Sequence, residues 1–516
     1  MKLNAGITEI DIFWEAVLNQ LGIRADIVKP GQLAEPGEIP LIIASKKDPF
    51  FNNTIDWYLN NGGAVLTEAD TAAAMFGIKA KHRAIKYIFS KEDEIFKTEG
   101  ICDINRNCLI AANANHLPDQ NGNNTVLAAK INKGMLVVLP SGFISLIGDR
   151  RIKRKNFYSL YGQKETNERV STVSKGMVIH IIRNALEFLY HSRELPYVSL
   201  WHFPDGRENI FAFRIDTDFV SRENLQEFYK IINRTGLKAT WFVETKSAES
   251  FLCDFKSFNN QEIALHCYRH RVFHSYSSNL NQIKSGLNLL KENNIKKCGF
   301  AAPYGEWNKS LEKAITDLGF CYSSEFGYIY DSLPVFPVSA GNTFTALQVP
   351  IHPVSQGRLH WGGHNSGQMV QYFQNVFAQK ASLHDPMIIY AHPSELRFGV
   401  MEKIIENGLS YNFVNLTFKE YAGWWKKRGT LSWEASYNGN DVKIITSNKD
   451  NSFWARILTP GNELILKPLI NNPVEEKKLR EPAYKLNSFF NAEELRKTTK
   501  RMIYHDVLSL YRKMKQ

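Results

Sequence analysis

Asp216-Thr217-Asp218, His266 with His270, Ala302-Pro303-Tyr304-Gly305 and Ala391-His392-Pro393 are the places in this 516-residue chain where residue type and spacing could support hydrolysis. Two carboxylates two residues apart, two imidazoles four apart and a later isolated histidine supply what metal-assisted amide hydrolysis needs: nitrogen and oxygen ligands, a base and an acid. In a strand alternate side chains face the same way, so Arg214, Asp216 and Asp218 are expected on one side of a strand end. Two carboxylates that close repel as anions; a divalent cation on one leaves the other to act as a base. His266 and His270 share a face if the turn between them is helical. Each piece has a plainer reading taken alone. Asp-x-Asp caps many loops, and His-x-x-x-His arises by chance in a chain with 14 histidines.

The elements that must position these residues follow from periodicity. Strands are expected at 210–215, 239–243, 262–266, 299–302 and 387–391, with helices at 222–233, 282–292 and 311–318 between them. Repeated βα units predict a parallel, barrel-like sheet with its chemistry at the C-terminal strand ends, where every candidate falls. Ahead of it, residues 1–195 read as a doubly wound α/β domain. A helix is expected at 8–21, apolar runs at 25–28 and 40–44, a helix at 52–61, and a strand at 64–67 after Gly62-Gly63. Strands at 126–131 and 135–139 flank Asn132-Lys133-Gly134 as a hairpin. The tract Arg150 to Lys155 carries five positive charges in six residues and reads as a solvated loop or a contact for an acidic ligand or membrane. A helix at 176–191 leads to a linker at 201–206. Past Trp424-Trp425 the period becomes two, giving a small antiparallel β module. The tail from Ala492 is helical, with Ile503, Val507, Leu510, Tyr511 and Met514 on one apolar face; it either packs on its own domain or lies on an anionic membrane. The expected organisation is α/β multidomain: 1–195, a catalytic domain at 209–427, the β module at 428–472 and a basic helical tail at 473–516.

Composition narrows the classes. At 44% hydrophobic and 22% charged this is ordinary globular protein. No apolar run approaches the ~20 residues that span a bilayer, and Glu9 and Asp11 stand where a signal peptide needs its apolar stretch, so a cytoplasmic location is expected. Six cysteines without a C-x-x-C pair read as reduced thiols. Cys267 lies between the two histidines and could be a soft ligand, but the Asp and His set is complete without it and favours a borderline divalent ion. A net charge of +11 favours acidic partners: an anionic membrane surface, or an anionic or lipid-linked sugar. No zinc-finger, RNP-type or helix-turn-helix pattern is present, so nucleic acid is not expected.

Residues 57–66, helix then Gly-Gly then strand, resemble over that short stretch the class I glutamine amidotransferase-like fold. Enzymes of that fold carry a cysteine on the strand-to-helix turn. Here the strand runs into Thr67-Glu68-Ala69-Asp70, so the domain is expected to be non-catalytic. The region 211–425 resembles the polysaccharide deacetylase family, also called the NodB homology or carbohydrate esterase 4 family. The matching text is Phe213 to Asp218, Gly236 to Val243, Glu262 to His266 with His270, Phe300 to Gly305, and Tyr390 to Pro393.

The resemblance implies a distorted (β/α) barrel and a divalent metal, commonly zinc, with Asp218, His266 and His270 as ligands. Asp216 is similar to the general base and His392 to the general acid that protonates the departing amine, while the backbone N–H of Tyr304 is expected to face the oxyanion. Two departures stand out. Thr217 separates aspartates that are often adjacent in the family, and Ala301 stands where its third motif usually has an arginine that orients the catalytic Asp. Arg214, on the strand face of Asp216, is the expected replacement. Tyr322, Phe326, Tyr328, Tyr330, Trp361 and Tyr372 are either a sugar-binding wall or packing, as are His352, His360 and His364; Trp361, within His360-Trp361-Gly362-Gly363-His364, is the expected substrate contact. The function implied is N-deacetylation of an amino sugar in a cytoplasmic nucleotide- or lipid-linked glycan precursor. The alternatives are hydrolysis of a non-sugar amide or imide, and a carbohydrate-binding module that has lost turnover.

Overall fold

The computed structural model describes residues 1–515 apart from 30, 32–34, 91–92, 97–99, 158–165, 297–298, 339–344, 395–396, 412, 472–474 and 480–491. At its centre is a parallel sheet running in the order Leu347–Gln348, Tyr322–Ser323, Gly299–Phe300, Glu262–Cys267, Thr240–Glu244, Ile210–Asp216, Met387–Ala391, with Val414–Asn415 pairing the start of Ile210–Asp216. Among the described residues no ladder joins its two outer strands, so the sheet curls into an open half-barrel.

Ile210–Asp216 is buried along its whole length, as a central parallel strand covered on both faces must be. Its alternation sorts side chains between two cores. Phe211, Phe213 and Ile215 pack under the surrounding helices, while Ile210 and Ala212 pack inside the curl with Phe242, Ala264, Ala301 and Tyr390. The same alternation sends Arg214 and Asp216 to the inner side, where a cation and an anion are buried together.

The surrounding helices start on sequence-encoded caps. Ser221 accepts from the Asn224 N–H at the head of Arg222–Arg234, and Asn308 caps Lys309–Asp317. Thr417 with Glu420 and Asn365 with Gln368 form full capping boxes. Arg222–Arg234 buries Leu225, Phe228, Ile231 and Ile232, a stripe at helical spacing.

The N-terminal region is a second sheet. Ala25–Ile27, Ala5–Ile7, Ile42–Ala44, Ala64–Glu68 and Gly134–Leu139 run parallel, and Asn124–Ile131 and His116–Pro118 close one edge antiparallel. The hairpin turns at Asn132, φ +52°, and Gly134 sits where a Cβ would meet the Leu59 carbonyl oxygen at 2.4 Å. The sequence reading did not anticipate the long hairpin Ala80–Ser90 with Gly100–Ala111.

Two expectations are corrected. Residues 201–206 are not a linker: Trp201, His202 and Phe203 are 1%, 1% and 0% exposed, and Tyr197–Leu200 pairs antiparallel with Trp454–Leu458. An aromatic run buries itself wherever a surface accepts it. The basic tract is not a solvated loop but leads into the strand Ile152–Phe157, paired with Thr166–Ser171. Arg150 meets Glu312 at 2.7 Å, Arg151 Asp149 at 2.7 Å, Arg154 Asp506 at 2.8 Å and Lys155 Asp103 at 3.0 Å. Three of these carboxylates come from distant sequence, which a local charge count cannot register. Among the described residues no helix is long and apolar enough to cross a membrane.

Arg428 ties the parts together. Buried at 1% exposure, its guanidinium donates to the carbonyls of Trp201 (2.8 Å), Leu200 (2.9 Å) and Asn19 (3.1 Å), and burial pushes its pKa down to about 9. Arg428→Met leaves three buried carbonyls without their donor. It is expected to cost about 2–4 kcal/mol, read as a lower denaturant midpoint in equilibrium unfolding followed by tryptophan fluorescence.

Candidate active site

Four strand ends meet at the C-terminal rim of the half-barrel. Asp216 is the last residue of its strand. Thr217 continues the contact with the neighbouring strand by one step: its N–H donates to the Phe242 carbonyl at 3.0 Å, and its hydroxyl oxygen accepts from the Glu244 N–H at 3.2 Å. The residue between the two aspartates is therefore a tether that fixes where Asp218 emerges.

His266 lies in the strand Glu262–Cys267, and His270 follows in a bend rather than a helical turn. The chain's reversal after the strand brings the rings together, with centroids 5.2 Å apart. His266 Nε2 is 2.9 Å from Asp218 Oδ1, and His270 Nε2 is 2.8 Å from Asp218 Oδ2. Burial by itself would raise the Asp218 carboxyl, but the two imidazoles hold it well below the usual carboxylate range.

These residues fit a cation. One ligand atom from each of Asp218, His266 and His270 lies within 4.8 Å of the others. Despite the short distances, Asp218 Oδ1 and the ring nitrogens of both histidines make no hydrogen bond of good geometry within the protein. Buried polar atoms that converge without bonding one another each carry a desolvation penalty of about 1–3 kcal/mol, which a shared cation offsets. Two nitrogens and a carboxylate oxygen suit a borderline divalent ion. Cys267 is outside the group, and burial pushes its thiol well above the ordinary value, away from the thiolate a ligand needs.

Asp216 has different company. Arg214 clasps it with two bonds of 2.7 Å, Nε to Oδ1 and Nη2 to Oδ2, and places Nη1 on the Ser324 carbonyl at 2.6 Å. The guanidinium lies near the faces of Phe242 and Tyr390. Ala301 is fully buried in the apolar core inside the curl. His392 follows the strand Met387–Ala391, with Nε2 3.6 Å from Asp218 Oδ2 and its ring edge-on to Tyr390.

Tyr304 sits in the turn Pro303–Gly305 at φ +58°, a left-handed conformation costing a non-glycine residue about 1–2 kcal/mol. Its ring stands 4.5 Å from that of His270, and it is 43% exposed, forming one lip of the site. Behind it, a Cβ on Gly305 would meet the Phe326 ring at 2.5 Å, and the Gly305 carbonyl accepts from the Gly327 N–H at 2.8 Å.

The structure thus gathers Arg214, Asp216, Asp218, His266, His270, Tyr304 and His392 at one rim. Trp361 is not joined to them by any ring contact among the described residues. It is 71% exposed at the end of the helix Gln356–Trp361, and its carbonyl accepts from Arg501. Tyr322, Phe326, Tyr328, Tyr330 and Tyr372 are buried, and His352 bonds Asp331 and Tyr372 away from the site.

Three neighbours were not singled out from the sequence. Phe219, at φ +49° and 65% exposed, stands edge-on to His270 as a second lip. Its position directly after the Asp-x-Asp was the available signal. Glu244, buried at its strand end, is raised by burial. Glu325 accepts from the Ala302 N–H at 3.1 Å and from Gln348 at 2.8 Å, and burial pushes it up to about 7. Neither glutamate lies in a recognisable spacing.

Comparison with known proteins follows this geometry. No curated protein sequence matches the chain. Among solved structures, a Streptomyces lividans family 4 carbohydrate esterase in complex with acetate shares 15% identity over 40% of this chain and 91% of its own, at TM-score 0.29. A CE4 family pseudoenzyme from Bacillus anthracis shares 16% identity over 43% of this chain and 68% of its own, at TM-score 0.31. A Bacillus subtilis peptidoglycan deacetylase mutant shares 12% identity over 43% and 94%, at TM-score 0.30. Superpositions this loose carry no argument about activity. The family model for polysaccharide deacetylases matches residues 206–323, a stretch that holds the Asp-x-Asp, the histidine pair and the Pro303–Gly305 turn and stops short of His392. Residues 206–323 therefore belong to a polysaccharide deacetylase domain.

Proposed function

We propose that the chain is a metal-dependent deacetylase that removes the N-acetyl group from an amino sugar of a glycan or glycan precursor. The carrying observation is the contrast between two aspartates two residues apart: Asp218 is turned to two imidazoles and Asp216 to a guanidinium. That difference supports separate duties, metal ligand for Asp218 and proton acceptor for Asp216. The family match over 206–323 supports acetylated sugar as the substrate class.

Asp218, His266 and His270 would hold the cation, most suitably zinc for this donor set. When bound, a divalent cation supplies a Lewis acid for an acyl carbonyl and lowers the pKa of a water. The protein's own groups do the rest. Arg214 holds the Asp216 carboxylate in one orientation, so that it takes the proton of the attacking water. His392, with Nε2 3.6 Å from Asp218 Oδ2, gives a proton to the departing amine nitrogen. The Tyr304 backbone N–H faces the developing oxyanion, in a turn whose Gly305 lies against the Phe326 ring. The rings of Phe219 and Tyr304 flank His270 and offer apolar faces to a pyranose.

Arg214 takes the part of the arginine missing at position 301. It reaches Asp216 from its own strand, and its anchor on Ser324 comes from the strand beyond the third motif. Such a residue positions; it does not touch substrate.

Asp218→Ala and His266→Ala are expected to lower bound zinc from near one equivalent to a small fraction, read by elemental analysis. Asp216→Asn is expected to keep the metal and lose about 10²-fold or more in acetate release from N-acetylhexosamine oligomers. Acetate release undiminished by chelator, or absent from every acetylated glycan with metal bound, refutes the proposal; the first result points to another chemistry and the second to a binding module. Arg214→Met is expected to lower kcat about 10–10³-fold with little change in KM, because the Asp216 carboxylate loses the two-pronged contact that orients it. Arg214→Lys should recover part of kcat but not the two-pronged contact. An Arg214→Met enzyme with unchanged kcat ends this assignment.

A further inference from the structure

The C-terminal helix Lys500–Lys515 has one face on the body of the protein and one exposed to solvent. On the inner side Met502 is buried, Asp506 meets Arg154 at 2.8 Å, and Arg501 donates to the Trp361 carbonyl. His505, Leu508 and Ser509 line a cleft together with Tyr304, Gly305 and Glu306. Tyr304, whose ring stands edge-on to His270, belongs both to this cleft and to the rim of the candidate active site.

The outer side is apolar and exposed. Ile503, Tyr504, Val507, Leu510 and Tyr511 are 55%, 63%, 59%, 61% and 49% exposed. Spaced i, i+1, i+4, i+7 and i+8, they form a continuous stripe, whereas scattered exposed apolar residues need no explanation. Residues 500–515 also carry Lys500, Arg501, Arg512, Lys513 and Lys515 against a single acid, Asp506, whose charge Arg154 already answers. The basic tract at 150–155 has its own carboxylates, so this helix is where basic charge and exposed apolar surface coincide.

We infer that the outer face of Lys500–Lys515 seats on an anionic lipid surface and stations the Tyr304 cleft against it. The charge complementarity chooses this occupant: a helix with an apolar stripe and an excess of Lys and Arg lies in the interface plane, where lysines reach the headgroups. A second copy of this chain would set basic residues against basic residues. Trp361, exposed beside the helix start, adds an amphipathic ring suited to the headgroup layer. If the deacetylase reading holds, the substrate class narrows to an acetylated saccharide carried on a lipid; that clause alone rests on the reading.

The test is co-sedimentation of the full-length protein with phosphatidylcholine vesicles and with vesicles of phosphatidylcholine and phosphatidylglycerol at about two to one, with no sugar present. Binding to the anionic vesicles alone is expected, falling about tenfold or more between low and high salt. Val507→Glu with Leu510→Glu, and separately Lys500→Glu with Lys513→Glu and Lys515→Glu, are each expected to weaken binding about tenfold or more. Because the substituted side chains of Val507 and Leu510 are exposed, an unchanged circular dichroism spectrum and melting temperature are expected alongside. Three results overturn the inference: no partition into either vesicle, undiminished binding of both variants, or a wild-type dimer in solution that the Val507→Glu, Leu510→Glu protein loses, which assigns the face to a second copy. Acetate release plays no part in this readout, so either idea can fail without the other.

Discussion

A guanidinium held out of water sits beneath the candidate active site, and the surrounding arrangement answers to it. Removing a cation from solvent costs several kcal/mol unless it is paired and its donors are met. Arg214 meets that demand with the Asp216 carboxylate, the Ser324 carbonyl and hydroxyl, and the flanking rings of Phe242 and Tyr390. Ser324 in turn donates to the Val349 carbonyl, and Glu325 beside it accepts from the Ala302 N–H. One buried charge thereby links the strand carrying the aspartates to the turn carrying Tyr304. In the proposed function Arg214 brings to Asp216, from its own strand, the cation that Ala301 does not supply.

Around that link the two aspartates diverge. Both leave the same strand end, but Thr217 binds the adjacent strand between them and gives each its own surroundings. Asp218 reaches buried imidazoles that keep it well below the usual carboxylate range, a state suited to a cation's ligand. The exposed rings of Phe219 and Tyr304 stand on either side of His270, so the site opens between aromatic lips while its charges stay sheltered.

The same rule of burial with partners organises the whole chain. Asp103 is nearly inaccessible, and although burial would raise it, Arg496 and Lys155 hold it well down. Those three residues come from the N-terminal region, the strand Ile152–Phe157 and the C-terminal segment, so the ion cluster fixes how the segments sit together. Buried pairs of this kind serve specificity of arrangement more than net stability.

The sequence by itself determined which residues could carry the chemistry. The Asp-x-Asp, the histidine pair and the late His392 were legible because ligands and acid–base groups need particular residue types, and the strand pattern put them at strand ends. The hairpin over 124–139 was legible from a turn flanked by alternating runs. What only tertiary structure decided is who partners whom. Nothing local marks Ser324 as the seat of Arg214, Glu325 as the acceptor of Ala302 N–H, Asp506 as the partner of Arg154, or Trp201 as buried rather than linking. The bend that joins His270 to His266, and the exposure of the stripe on the last helix, likewise depend on surfaces far away in sequence. Residue type fixes what a group can do; the energy of burying it is settled only when distant segments close around it or leave it open.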